Sequence, residues 1–230
     1  MVGSAVIVVA AYLVGAIPVA YIFGRALKGI DLREYGSANV GASNVYRSVA
    51  GWAVVPVGLL EIAQGMAGVM LAKFLGQDLE VQVVAGLAAI AGQAWSVFLR
   101  FSGGRGIGPS IGFMLGLAPP VLATFIVISL LGWPLRSFPL TVGVAIGLTP
   151  LASTIIDGAG PVAAGCLGMA LIVFAKRLLT NHIGLSGQQA GLPEGQDWRD
   201  ILLNRLLFDR DLRERDAWVH RTPGTPGTRA

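Results

Sequence analysis

Long apolar runs alternate with short polar segments along most of the chain. The runs at 3–23, 53–75 and 81–99 are each long enough, as helices, to cross the hydrocarbon core of a bilayer, which is about 30 Å thick. Arginine and lysine residues stand mainly in the polar segments between the runs. This pattern predicts membrane-spanning helices rather than the helices of a soluble core.

Two consecutive prolines interrupt the apolar run at 107–133. Pro119 and Pro120 break or bend a helix at that point, so we predict two short spans with an external turn between them. Further spans are predicted at about 138–155 and 160–175. The alternative is a single helix through the prolines. The prediction is an all-α, polytopic membrane protein of about seven short transmembrane helices, some crossing only with tilted neighbours or local thinning.

The composition agrees with this fold class. Of 230 residues, 13% are charged and 54% are hydrophobic, whereas an ordinary soluble domain has about 25% charged residues. A net charge of +4 is compatible with nucleic-acid binding, but the basic residues lie in loops between apolar runs. We therefore expect a lipid bilayer, and no nucleic acid, as partner. The lone Cys166 excludes an intrachain disulfide.

The basic residues also predict an orientation, because they gather on the cytoplasmic side of a membrane. With an external N-terminus, only Lys73 among them is external, and the C-terminus is cytoplasmic. The chain divides into a membrane domain at 1–187 and a polar cytoplasmic region at 188–230. Apolar residues near 198–208 recur at helical spacing, which predicts an amphipathic helix lying on the membrane surface or packed against the loops. A flexible tail follows.

Two loops that are predicted to be cytoplasmic are rich in glycine. The first loop, 31–47, contains Ser37, Asn39 and Asn44 and ends in Arg47. Glycine lets backbone N–H groups approach an anion, and the planar guanidinium of arginine matches a phosphate. The loop is therefore a candidate site for a phosphate or a polyol phosphate, although its composition also fits an ordinary solvated loop.

The second loop is Gly103-Gly104-Arg105-Gly106. It lacks the spacing of a nucleotide P-loop, and it can be either an anion site or a flexible turn whose arginine serves only orientation. Because both loops lie on the same side of the predicted topology, they indicate transfer between two phosphorylated molecules.

Three segments resemble the motifs of one family, the bacterial acyl-phosphate:glycerol-3-phosphate acyltransferases. The segment at 36–47, GSANVGASNVYR, resembles the signature GSGNxGATNxxR, and KGIDLR at 28–33 resembles its lead-in KGxDxR. The segment at 92–106 is similar to GHxxPVFxxFxGGKG, and 177–187 is a more distant match to RHxxNIxRLLxG. The resemblance covers about residues 1–187.

The resemblance implies an acyltransferase of phospholipid biosynthesis in a bacterial cytoplasmic membrane. It implies transfer of a fatty acyl group from acyl phosphate to the 1-hydroxyl of glycerol 3-phosphate, which gives lysophosphatidic acid. No cofactor, metal or covalent acyl-enzyme is implied. The implied catalytic residues are Ser37, Arg47, Arg105 and Asn181, and the implied substrate-binding residues are Gly36, Asn39, Asn44, Gln93, Gly103, Gly104 and Gly106.

The chain departs from the family pattern at several motif positions. Gln93 and Leu178 stand where the family has histidines, and Gln64 and Arg105 stand where it has lysines. We therefore predict slow transfer. His182 lies close enough to the third motif to compensate, although a solvated or interfacial role is the simpler interpretation.

Two other functions fit parts of the sequence. A catalytically weakened paralogue would bind lipid or phosphate as a regulator. A small transporter would use the polar residues Glu61 and Gln64, which lie within the second span, as part of a pathway. For Glu61, a hydrogen bond between helices is the simpler explanation.

Overall fold

The computed structural model describes residues 2–179 and 197–210, and every regular element within these ranges is helical. The predicted all-α class is thereby confirmed. The helices are α1 (Val2–Ala16), α2 (Val19–Lys28), α3 (Ala42–Ser48), α4 (Val54–Phe74), α5 (Leu79–Ala94), α6 (Ile107–Leu117), α7 (Pro119–Leu130), α8 (Phe138–Asp157), α9 (Pro161–Leu179) and α10 (Trp198–Phe208). Short 3₁₀ turns lie at Gly51–Ala53 and Val97–Leu99.

Five segments in the described ranges are long and apolar enough to cross a membrane. They are Gly3–Lys28, Gly51–Phe74, Leu79–Leu99, Phe138–Asp157 and Pro161–Leu179. Large apolar side chains point outward from them: Val9, Leu59 and Leu171 are 58%, 62% and 60% exposed. Lipid rather than water covers such surfaces at low cost, so the chain is a multi-pass membrane protein.

The break at Pro119 is confirmed, because α6 ends at Leu117 and α7 begins at Pro119. These helices have 11 and 12 residues. At 1.5 Å per residue each is roughly 17 Å long, shorter than the bilayer core. A count of seven full spans therefore stays a prediction.

The first span differs from the uninterrupted helix predicted at 3–23. It breaks at Ile17 and Pro18 and continues as α2 to Lys28. Proline has no N–H to extend the α1 ladder, so carbonyl groups at the end of α1 need other donors. Nε2 of Gln64, on α4, donates to the carbonyl oxygens of Val14 and Ile17 at 2.8 and 2.9 Å. The broken span is thus completed by a polar residue of its neighbour.

Helices α4 and α5 lie at the centre of the bundle, with α1 against both, α6 against α4 and α9 against α5. Glycines permit the closest approaches. A Cβ on Gly15 would lie 2.0 Å from the carbonyl oxygen of Ala89, and one on Gly92 would lie 2.2 Å from that of Tyr12. Small residues allow this backbone contact between α1 and α5, as in other membrane helix pairs. It fixes the end of α5, from which the second loop continues.

Candidate functional site

The predicted first loop contains a helix, because α3 begins at Ala42. Asn44 on α3 organises the preceding residues: its Nδ2 lies 2.9 to 3.1 Å from the carbonyl oxygens of Leu32, Tyr35 and Asn39. Its Oδ1 accepts from the hydroxyl of Ser48 at 3.0 Å. Asn44 is only 1% exposed. Its polar atoms are therefore committed to holding the loop.

An ion pair fixes the start of the loop. Arg33 Nη2 lies 2.6 Å from Asp31 Oδ2, and the backbone N–H of Arg33 donates to Asp31 Oδ1 at 3.0 Å. Burial raises the pKa of Asp31, but the hydrogen bonds and charge of Arg33, with a smaller contribution from Arg25, outweigh it and lower the pKa below its ordinary value. The carboxylate thus stays ionised, and Arg33 serves the loop itself.

The middle of the loop adopts a left-handed backbone. Gly36 and Ala38 have φ of +55° and +54°. A residue with a Cβ pays roughly 1 kcal/mol for this conformation, and the family signature has glycine at the position of Ala38. The neighbouring Ser37 and Asn39 are each only 6% exposed. Oδ1 of Asn39 is buried and has no hydrogen-bond partner within the described residues. A buried polar atom in this condition needs an explanation, and a hydrogen bond to a bound ligand would provide one.

Gln93, at the end of α5, links the two loops. Its Oε1 accepts from the backbone N–H of Gly106 at 2.8 Å, and its carbonyl oxygen accepts from that of Gly104 at 2.9 Å. Its Nε2 lies 3.5 Å from the carbonyl oxygen of Val40 in the first loop. A Cβ on Gly103 would lie 2.0 Å from the carbonyl oxygen of Gln93. The second loop therefore requires glycine, and Gln93 shapes the site.

A small cavity lies where the two loops meet the break between α1 and α2. Its polar lining includes Glu61, Gln64, Gln93 and Ser96, and the backbone of Gly103 also borders it. Ser96 donates to the carbonyl oxygen of Ala16 at 2.5 Å. Glu61 is 5% exposed and interacts with the backbone of Ala42 and the side chain of Gln93. The polar residues within the spans thus join helix ends to the loops.

Three basic residues are buried in this region: Arg105 in the second loop, and Lys176 and Arg177 at the end of α9. Arg105 is 5% exposed, forms an ion pair with Asp209, and donates from Nη2 to the Asp209 carbonyl oxygen at 3.2 Å. Arg177 is 2% exposed and donates to the carbonyl oxygens of Leu206 and Pro139, each at 3.0 Å. Lys176 is 5% exposed and lies over the ring of Trp95, with Nζ 5.5 Å from its centre.

Lys176 was not among the predicted site residues. In the sequence it counts only as a basic residue at the end of a span, and its burial against the second loop depends on how α9 packs on α5. In the sequence, Lys176 immediately precedes the third motif, which begins at Arg177. This adjacency is the one signal that the sequence contains.

The predicted site residues fall into separate groups. Gln93, Gly103, Gly104 and Gly106 are together at the link between the loops. Arg105 contacts Asp209 at the C-terminal end of α10, whereas Arg47 is on the exposed side of α3. Asn181 and His182 lie outside the described residues.

The predicted C-terminal helix is observed as α10, and it packs against α8 and α9. Asp197 caps its start by accepting from the backbone N–H of Arg199 at 3.0 Å. Arg205 donates to the carbonyl oxygen of Leu178 at 2.9 Å. The contacts of α10 with α8 and α9 leave both predicted placements, on the membrane surface or against the loops, as predictions. The helix brings Asp209 to Arg105.

Comparisons with known proteins agree with the motif resemblance. A family model described as glycerol-3-phosphate acyltransferase matches residues 5–183. Glycerol-3-phosphate acyltransferase 4 of Dehalococcoides mccartyi (strain CBDB1) is 36% identical over 94% of this chain and 93% of its own length. Glycerol-3-phosphate acyltransferase of Synechococcus sp. (strain CC9902) is 45% identical over 53% of this chain and 60% of its own length.

Solved structures are similar as well. Crystal structures of PlsY, an integral membrane glycerol 3-phosphate acyltransferase, match with TM-scores of 0.70 for its glycerol 3-phosphate form and 0.68 for its lysophosphatidic acid form. The identities are 27% and 26%, over 76% of this chain and 88% of PlsY.

Proposed function

Because the chain belongs to the glycerol-3-phosphate acyltransferase family, we propose that it transfers a fatty acyl group from acyl phosphate to glycerol 3-phosphate. The oxygen of the 1-hydroxyl attacks the acyl carbonyl carbon, and the bond from that carbon to the phosphate oxygen breaks. The departing phosphate takes up the hydroxyl proton. The products are lysophosphatidic acid and inorganic phosphate. Acyl phosphate is already activated, so positioning and charge stabilisation carry the catalysis without a cofactor.

The link between the two loops through Gln93 carries this proposal. A transfer between two phosphorylated molecules needs two anion sites at a fixed separation. Gln93 contacts Val40 of the first loop and Gly106 of the second. The break between α1 and α2 adds a small cavity at the junction, lined by both polar and apolar residues.

The first loop would bind glycerol 3-phosphate. Ser37 and Asn39 are buried within it, and Asn39 has an unsatisfied oxygen suited to a glycerol hydroxyl. The guanidinium of Arg47, on the exposed side of α3, suits a phosphate approaching from solvent. Gly36 gives the left-handed turn before Ser37, and Asn44 holds the shape of the loop.

The second loop would bind the phosphate of the acyl donor. The N–H groups of Gly104 and Gly106 donate to Gln93, so binding rests on Gly103 and on the side chain of Arg105. Arg105 would neutralise charge on the departing phosphate. Asn181 would add a contact from the third motif.

The replaced residues do not all bear on the phosphates. Gln64 donates to the end of α1, so a lysine at this position is not needed for a phosphate contact. Leu178 does remove a family histidine from the third motif. Loss of one preorganised donor typically costs about 10²–10³ in rate. Slow but measurable transfer is expected, resting on Arg47 and Arg105.

The protein would lie in a bacterial cytoplasmic membrane with its N-terminus external and its C-terminus cytoplasmic. In a Cys166→Ala background, Ser43→Cys and Thr225→Cys should react with a membrane-impermeant maleimide only after permeabilisation. Asp78→Cys is the matched control, because it lies at the opposite end of α4 and α5 and should react in intact cells. Labelling of Ser43→Cys or Thr225→Cys in intact cells would contradict the proposed topology.

The activity is tested with purified protein, palmitoyl phosphate and glycerol 3-phosphate. Lysophosphatidic acid should appear in an amount equal to the inorganic phosphate released above spontaneous hydrolysis. Without the acceptor, no lysophosphatidic acid should form and phosphate should appear only at the hydrolysis rate. Palmitoyl-coenzyme A is the control donor and should not replace palmitoyl phosphate. Binding of glycerol 3-phosphate without any product would favour the regulatory paralogue.

A further inference from the structure

Glu61 carries a buried carboxyl group within the second span, about two turns into α4. It is 5% exposed and borders the cavity between the two loops. A Cβ on Gly108 of α6 would lie 3.0 Å from its Oε2, and one on Gly41 of the first loop would lie 3.8 Å from its Oε1. The carboxyl group is therefore enclosed between the first loop and α6. An acidic residue in such a position within a span calls for a functional explanation.

Hydrogen bonds from two directions hold this carboxyl group. It accepts from the backbone N–H of Ala42, the first residue of α3, and it is hydrogen-bonded to the side chain of Gln93 at the end of α5. The first N–H groups of a helix have no acceptor within that helix, so the bond from Ala42 also completes the start of α3. Glu61 thus joins the first loop to Gln93 from a third helix, α4.

The second loop depends on which way the amide of Gln93 is turned. Its Oε1 accepts from the backbone N–H of Gly106 at 2.8 Å, so its Nε2 is the group that faces Glu61. The carbonyl oxygen of Val40 lies 3.5 Å from this Nε2, which is the limit of a hydrogen bond, and holds it only weakly. If the amide turned over, Nε2 would meet the N–H of Gly106, and two donors would face each other. The acceptor at Glu61 prevents this reversal.

We infer that Glu61 is a positioning residue, which acts through Gln93 to hold the second loop in the shape that binds the phosphate of the acyl donor. This inference rests on the proposed function. The contacts run from Ala42 through Glu61 and Gln93 to Gly106, so the first loop sets the position of the second. This role accounts for Glu61 within the span without a transport pathway.

Glu61→Leu tests the inference, because leucine is of similar size and offers no acceptor. It should lower kcat/KM for palmitoyl phosphate about tenfold, as expected for the loss of one buried hydrogen bond. Gln93→Leu has a similar expected effect, and the double variant should lie within about twofold of either single variant, because Glu61 acts through Gln93. Glu80→Leu is the matched control, since Glu80 is an exposed acidic residue in the first turn of α5. Effects that multiply to about a hundredfold in the double variant, or an unchanged kcat/KM in Glu61→Leu, would overturn the inference.

Amide hydrogen exchange separates this inference from the proposed function and from a purely stabilising role. The N–H of Gly106 should exchange about tenfold faster or more in Glu61→Leu than in the wild type or Glu80→Leu. If the wild type transfers no acyl group while exchange at Gly106 shows this dependence, the proposed function fails and the positioning of the second loop stands. Unchanged exchange at Gly106, or faster exchange spread evenly over α4 and α5, would overturn the positioning role. Should Glu61→Leu not fold, Glu61→Asp, which withdraws the carboxyl group by one methylene, takes its place in both measurements.

Discussion

The side-chain oxygen of Gln93 accepts a hydrogen bond from the backbone N–H of Gly106 at 2.8 Å, across 13 positions of sequence. The same side chain lies 3.5 Å from the carbonyl oxygen of Val40. One amide therefore sets the position of the second loop relative to the first. Any substitution at this position tests how closely catalysis depends on the separation of the two loops.

Gln93→Leu should lower kcat/KM by about tenfold or more, because it removes the amide and leaves the N–H of Gly106 without this acceptor. Gln93→His should cost less, since a ring nitrogen can accept from Gly106. Steady-state kinetics with palmitoyl phosphate and glycerol 3-phosphate measure both effects. If Gln93→Leu and wild type had equal kcat/KM, the link between the loops would have no catalytic role.

On the proposed function, Asp209, which forms an ion pair with Arg105, would compete with the acyl phosphate for it. Removing the carboxylate in Asp209→Asn should lower the KM for palmitoyl phosphate by about threefold or more, because an anionic substrate no longer displaces an ion pair. Asp157→Asn, an exposed change at the far end of α8, is the control. An increased KM in Asp209→Asn would mean instead that α10 holds Arg105 in its binding position.

Gln64 satisfies the broken end of α1. Gln64→Leu leaves the carbonyl oxygens of Val14 and Ile17 without these donors and should lower the free energy of unfolding by about 1–3 kcal/mol. Gln64→Lys retains a donor and should be closer to wild type. Thermal unfolding in detergent compares them, with Gln82→Leu near the opposite end of the bundle as control. Equal melting temperatures for Gln64→Leu and wild type would show that water replaces the amide.

Ala38 has a left-handed backbone that glycine adopts at less cost. Ala38→Gly should therefore raise the free energy of unfolding by up to about 1 kcal/mol, after the entropy gained by the unfolded chain is subtracted. Ala67→Gly, on an exposed position within α4, should lower it by about 1 kcal/mol. Destabilisation by both substitutions would contradict the strained conformation at Ala38.

The sequence predicted the parts of the fold that depend on local chemistry. The apolar runs predicted the helices, and Pro119 with Pro120 predicted the break between α6 and α7. The single Pro18 carries the same signal, but the apolar run continues through it. The break there is compensated by a hydrogen bond from Gln64, which is 47 positions from Ile17 in the sequence. Local patterns cannot show such a long-range donor.

The candidate site was predicted as segments and not as an arrangement. The motifs identified both glycine loops, yet they could not show that Gln93 joins them or that Asn44 faces inward. The burial of Lys176 depends on the packing of α9 against α5, and the ion pair of Arg105 depends on α10, which lies beyond the family match. These features follow from tertiary contacts between distant residues.

The central claim is that the two loops bind different phosphates of one reaction. The most direct test is the KM for each substrate in Arg47→Gln and Arg105→Gln, with Arg100→Gln as an exposed control beside the second loop. Each lost charge-assisted contact should raise one KM by about tenfold or more. Arg47→Gln should raise the KM for glycerol 3-phosphate, and Arg105→Gln should raise that for palmitoyl phosphate. If both variants raise the same KM, or neither raises either, the two loops do not divide the substrates between them.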